Sequence, residues 1–224
     1  MPHDFHHDAG GPGRLAPAEA QRVTSLATTA SVSVALVLVI TKAVVWYMSG
    51  SVALLASLAD SALDLTASLT VFFAVRYAAE PADAEHRYGH GKAEAFAGVM
   101  QAVFVAASAA LLLSEGIQHV FEPVVIEASG WALAVMVLSI VMTIGLLMVQ
   151  TRALKQTGSI AIEGDRAHYY SDLGSHLAVM IGIPGSVWLG RLWLDAAIAI
   201  GVSVWLGLTA WRLATSALSQ LMYR

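Results

Sequence analysis

The chain has 224 residues, of which 57% are hydrophobic and 12% charged, with a formal net charge of −4 and no cysteine. A soluble domain carries about twice that charged fraction, so the composition indicates a membrane protein. The lack of cysteine excludes disulfides, thiolate metal sites and thiol catalysis, and the weak negative charge gives no sign of a nucleic-acid partner.

Six apolar segments are long enough to cross a bilayer, which takes about 20 residues. In chain order they cover residues 23–48, 52–78, 93–120, 131–151, 160 to just before 184, and 193–222. We therefore predict an all-α polytopic membrane protein with six transmembrane helices in one domain, residues 23–224. The polar His- and Asp-rich stretch 1–22 precedes it, and is expected to be a disordered tail or a weak zinc-capturing segment.

Basic residues set the expected orientation of these spans. Nine of the 12 lysines and arginines lie before the first span, in the second and fourth loops or the span ends beside them, or at the C-terminal end. Positive charge stays cytoplasmic, so both termini are expected in the cytoplasm and the chain in the inner (plasma) membrane. Lys42 lies within the first span and is expected to reach polar neighbours or an interface rather than take part in transport.

The second span carries two carboxylates, Asp60 and Asp64, four residues apart. This spacing puts them on one face of a helix. An ionised carboxylate in hydrocarbon costs several kcal/mol, so the two acids must be paired, protonated or bound to a cation. The fifth span repeats the spacing in His168 and Asp172, and His176 continues that face by one turn. His176 is expected to relay protons, to orient a ligand, or simply to pack.

The two pairs are expected at the same depth in the membrane. Counted from Ser51 and Ser159, near which the two spans enter the membrane, each pair lies 9 and 13 residues in, and the spans run in opposite directions. At about 1.5 Å per residue both pairs lie ~14–20 Å deep, near the middle of a core about 30 Å thick. Facing helices would bring together three carboxylates and one imidazole, a set suited to a divalent transition ion, with zinc first. The plainer alternative is that the acids serve as hydrogen-bonding groups between helices.

The stretches SLADSALDLTASL and DRAHYYSD resemble the cation diffusion facilitators, most closely the bacterial zinc/iron-efflux branch. The resemblance extends from about Arg22 to the end of the chain. It implies a transporter, not an enzyme, that exports Zn²⁺, Cd²⁺ or Fe²⁺ in exchange for protons. The implied transport site is Asp60, Asp64, His168 and Asp172, with Zn²⁺ as bound and transported ion and no cofactor.

The loop PADAEHRYGHGKAEAF is similar to the part of the family that holds a second zinc site. The resemblance assigns Asp83, His86 and His90 to it; a solvated polar loop is the alternative. Relatives usually continue into a soluble C-terminal domain, whereas this sequence stops at Arg224, just after the sixth span. We therefore expect no such domain here, and a homodimer held through membrane helices.

Two other classes of function remain open. A membrane sensor or scaffold would bind zinc without moving it. An intramembrane metal-dependent hydrolase would need an open metal position and a general base, but the sequence has no His-Glu-x-x-His motif.

Overall fold

The computed structural model describes residues 15–50, 52–87, 89–121, 130–189 and 193–223, and these residues contain six helices and no strand. The helices are α1 (Pro17–Ser49), α2 (Val52–Ala78), α3 (Lys92–Phe121), α4 (Gly130–Thr157), α5 (Ile160–Leu189) and α6 (Trp193–Tyr223). The prediction of an all-α polytopic fold is confirmed. Residues 1–14, which hold the histidines of the N-terminal tail, lie outside the described residues.

Five helices in the described part of the chain, α1, α2, α3, α4 and α6, are long and apolar enough to cross a membrane. The sixth helix, α5, has 30 residues and thus about 45 Å of length. Its sequence carries Glu163, Asp165, Arg166 and Asp172, which lower its mean hydropathy. α5 carries more ionisable groups than any other described helix, so its polar side must pack against neighbouring helices rather than against lipid.

The helices follow the predicted spans in order, and three of their ends differ from the prediction by six residues. α2 coincides with the predicted span 52–78, whereas α1 begins six residues earlier than predicted and α4 ends six residues later. The predicted end of the fifth span before Pro184 is wrong, because α5 continues to Leu189. Membrane helices tolerate an internal proline when neighbouring groups or local adjustments satisfy the freed carbonyl.

Two glycines with positive φ end helices where the chain turns back. Gly50, with φ of 63°, donates its N–H to the Trp46 carbonyl at 2.8 Å after α1. Gly158, with φ of 65°, makes the same contact with the Leu154 carbonyl after α4. Such left-handed caps suit glycine, which has no Cβ to clash. These short turns pair α1 with α2 and α4 with α5.

The largest apolar core cluster joins α3, α5 and α6. Its members are mostly small or β-branched, and Val105, Leu206 and Ala217 are completely buried. Small residues allow membrane helices to approach closely. The tightest approach is at Gly164 of α5, where an added Cβ would lie 2.8 Å from Cβ of Gln101. Gly164 thus fixes how closely α5 rests on α3.

We predict that Gly164→Val destabilises the bundle by about 1–3 kcal/mol, the usual cost of overpacking. The thermal melting midpoint of the purified protein in detergent measures this. Gly207→Val is the matched control, because a Cβ on that exposed α6 glycine meets nothing within 4 Å. Equal melting midpoints for the two variants would contradict the close α3–α5 contact.

Candidate metal site

Three of the four predicted intramembrane ligands meet between α2 and α5. Nε2 of His168 lies 3.1 Å from Oδ1 of Asp64 and 3.8 Å from Oδ2 of Asp172. One ligand atom from each residue falls within 4.8 Å of the other two. His168 is 3% exposed and Asp64 9% exposed. Two carboxylates and one imidazole nitrogen therefore converge in a nearly dry space.

Asp60, the fourth predicted ligand, is on α2 one turn from Asp64 and is exposed. The three-residue group does not include it. His176 lies one turn beyond Asp172 on α5 and is half-buried, with no hydrogen bond to its Nδ1 among the described residues. The structure thus places both side chains next to the cluster along their helices, but not in it.

A second polar cluster, which the sequence analysis did not predict, lies one turn closer to the start of α5. The carboxylate of Asp165, 1% exposed, accepts a hydrogen bond from Ser31 Oγ at 2.5 Å and one from Gln150 Nε2 at 2.8 Å. It joins α1, α4 and α5 in a layer beneath the three ligands. The hydroxyl of Tyr169 extends this layer to the Ser31 carbonyl and to Ser68 of α2.

Lys42, the lysine in the first span, is buried beside the cluster of Asp64, His168 and Asp172. Nζ of Lys42 donates to Ser61 Oγ at 2.6 Å and to the Ser57 carbonyl at 3.2 Å, both on α2. The expectation that Lys42 reaches polar neighbours agrees with these contacts. Ser61 precedes Asp64 by less than one turn of α2, so the ammonium is adjacent to the predicted ligand set.

The second predicted site, in the loop between α2 and α3, is also assembled. Nδ1 of His86 lies 3.2 Å from Oδ1 of Asp83, and Nε2 of His90 lies 3.5 Å from Oδ2 of Asp83. Nδ1 of His90 is 3.3 Å from the Glu80 carbonyl. Such a backbone partner fixes the tautomer and leaves Nε2 free to bind a metal. The three groups have ligand atoms within 4.8 Å of one another.

Backbone hydrogen bonds hold the Asp83 carboxylate in this loop. The N–H of His86 and, less strongly, the His86 ring and the Glu85 N–H lower the pKa of Asp83. Hydrogen bonds that favour the ionised form have this effect. Since the folded-state pKa is lowered, the stabilisation is present above the ordinary aspartate pKa and is lost as the pH falls through the folded-state value.

We predict that Asp83 titrates below the ordinary aspartate range, and that this depends on the His86 backbone N–H. His86→Ala keeps the N–H, so the pKa of Asp83 should remain lowered. His86→Pro removes the N–H, so the pKa should rise towards its ordinary value. Carboxylate ¹³C shifts followed through a pH titration measure this. The same titration curve in both variants would contradict the assignment.

A protein family and several relatives match most of this chain. The family described as "Cation efflux transmembrane domain" matches residues 28–222. The relatives are each named cation-efflux pump FieF. The Shewanella oneidensis protein is 41% identical over 199 residues, covering 89% of this chain and 67% of the relative. The proteins of Pectobacterium atrosepticum and Klebsiella pneumoniae are 38% and 36% identical over 203 residues, covering 91% of this chain and 67% of each relative.

These matches agree with the family indicated by the second and fifth spans. With the apolar helices, they make the chain a multi-pass protein of the inner (plasma) membrane. The extent of the family match, together with identities above a third over nine-tenths of the sequence, gives one conclusion: the chain belongs to the cation efflux family of transporters.

Proposed function

We propose that this protein exports divalent transition-metal cations, with Zn²⁺ first, from the cytoplasm in exchange for protons. The observation that carries the proposal is the buried convergence of His168 Nε2 with the carboxylates of Asp64 and Asp172. Relatives named cation-efflux pumps support the direction of transport. Cd²⁺ and Fe²⁺ are the alternative cargoes.

The ligand chemistry favours a borderline transition ion. Zinc accepts both carboxylate oxygen and imidazole nitrogen and prefers four ligands. Asp60 is proposed as the fourth ligand, because it lies one turn from Asp64 on the same face of α2. Four protein ligands would also close the coordination shell to a hydrolytic water, which favours carriage over catalysis.

Proton exchange follows from the charges of the same groups. Carboxylates held this close repel one another when no metal is bound, so at least one gains affinity for a proton. Binding of a divalent ion requires deprotonated carboxylates and a neutral imidazole, and therefore expels protons. Strongly interacting groups titrate together, so the exchange belongs to the cluster of Asp64, His168 and Asp172 rather than to one residue.

The burial of the site implies that transport requires helix movement. The side chains of His168 and Asp172 are only 4% and 11% exposed, so a hydrated ion does not reach them in this arrangement. The ligands lie on two helices that have different neighbours. α5 packs against α3 and α6, and α2 is hydrogen-bonded to Lys42 of α1. The proposed route to alternating access is that α2 and α5 move as one unit relative to the other helices.

The loop triad is proposed as a second zinc site on the cytoplasmic side. Asp83 and His86 are exposed while His90 is buried. An ion arriving from solvent would therefore meet two accessible ligands and a third, His90, that the fold holds in place. A homodimer through membrane helices is proposed from the family resemblance. Zinc bound in the loop would then either raise the local ion concentration or stabilise the assembly.

We predict that Asp64→Ala lowers zinc flux at least about tenfold, because it removes an oxygen donor from the centre of the site. Vesicles with reconstituted protein, an imposed pH gradient and a zinc-sensitive dye inside measure the flux. Glu19→Gln is the matched control, since it neutralises an exposed acid in the first turn of α1. Wild-type flux in Asp64→Ala would contradict the proposal, and zinc binding without flux in the unaltered protein would indicate a sensor or scaffold.

We predict that His168→Asp shifts selectivity from Zn²⁺ towards harder ions such as Mn²⁺, because the site then offers oxygen donors only. Competition between the two ions in the same vesicle assay measures the shift. His176→Asp is the control, since it adds a carboxylate one turn away without replacing a proposed ligand. Unchanged selectivity in His168→Asp would mean that the imidazole does not bind the ion.

A further inference from the structure

Lys42 is a buried cation for which the transport scheme has no use so far. The residue is 1% exposed, and Nζ is held on α2 by Ser57 and Ser61. A lysine within a membrane helix costs several kcal/mol. It persists when it is paired with opposite charge or serves function, and its surroundings show which charges it faces.

The charges around Lys42 are those of the transport site. Ser57 and Ser61, the two hydrogen-bond partners of Nζ, lie within one turn of Asp60 or Asp64 on α2. Asp172 of α5 belongs to the same ligand cluster as Asp64. The ammonium thus lies within electrostatic range of the carboxylates proposed to bind the metal, while its hydrogen bonds anchor it to serines on the same face of α2.

We propose that Lys42 is a tethered counter-cation of the transport site, which competes electrostatically with the metal for the same carboxylates. This inference rests on the proposed function. When the metal has left, the ammonium offsets part of the carboxylates' negative charge. When the metal is bound, the two cations repel each other in a medium of low dielectric. The repulsion weakens binding and so speeds release of the ion.

A purely structural role for Lys42 needs no charge. The two hydrogen bonds to Ser57 and Ser61 link α1 to α2, and the two N–H groups of a glutamine amide are suited to the same acceptors. A tether and a counter-cation therefore make different predictions for Lys42→Gln. The first predicts little change, and the second predicts tighter metal binding.

The test measures binding of Zn²⁺ alone by calorimetry in lipid nanodiscs. All variants carry His86→Ala and His90→Ala, so that the loop does not contribute. Lys42→Gln and Lys42→Met should bind Zn²⁺ about tenfold more tightly than the parent, since a nearby like charge has been removed. Their flux in vesicles should fall, because release slows. Lys42→Arg keeps the charge and should restore binding to within about twofold.

Two controls separate charge from packing. Ser61→Ala removes a hydrogen bond to Lys42 but keeps the ammonium, so zinc affinity should stay within about twofold of the parent. Arg212→Met removes a cation from an exposed position on α6 and should leave affinity unchanged.

Three results would overturn the inference. The first is unchanged or weaker zinc binding in both neutral variants of Lys42. The second is zinc binding that becomes as tight in Ser61→Ala as in those variants. The third is failure of the neutral variants to fold, as judged by their melting midpoints. Unchanged affinity with normal flux overturns the role of Lys42 alone. Zinc binding by the parent without any flux overturns transport and leaves the affinity comparison valid.

Discussion

The cost of holding ionisable groups inside a membrane governs how this bundle is assembled. The chain contains carboxylates, histidines and a lysine in segments that are otherwise apolar, and α2 and α5 gather them into one region. Asp64 and Asp172 approach a single imidazole nitrogen of His168 instead of facing lipid separately. The imidazole and each carboxylate lower each other's cost, whereas the two carboxylates repel one another, and the proposed cation would relieve that repulsion.

The polar groups of α5 are stacked in layers along one face. Asp165 is nearest to the start of α5 and accepts hydrogen bonds from Ser31 and Gln150. His168, Asp172 and His176 follow it in that order along the helix. α1 contributes to both flanking regions, through Ser31 at one level and Lys42 at another. α5 is therefore bound to α1 and α4 by polar contacts and to α3 and α6 by close apolar packing, so its movement would alter both sets at once.

Much of this could be predicted from the sequence, and the failures have physical causes. Hydropathy and the glycine-containing breaks predicted α2 to the residue, and spacing and depth indicated that Asp64, His168 and Asp172 would meet. The end of α5 was wrong because proline was treated as a helix terminator, as it is in water. The contacts of Ser31, Gln150 and Lys42 depend on how α1 and α4 rotate about their axes. Polar residues in those helices are not confined to one face, so their sequences do not fix that rotation. The role of Asp60 stays a prediction.

The most direct test of the central claim is anomalous scattering at the zinc edge from crystals of the protein grown with Zn²⁺. Replacing His86 and His90 by alanine would confine the signal to the membrane region. The account predicts one peak between α2 and α5, with oxygen and nitrogen ligands at about 2.0–2.2 Å from Asp64, His168 and Asp172. A zinc-loaded crystal with no peak there, or with those side chains turned away from a peak elsewhere in the bundle, would contradict it.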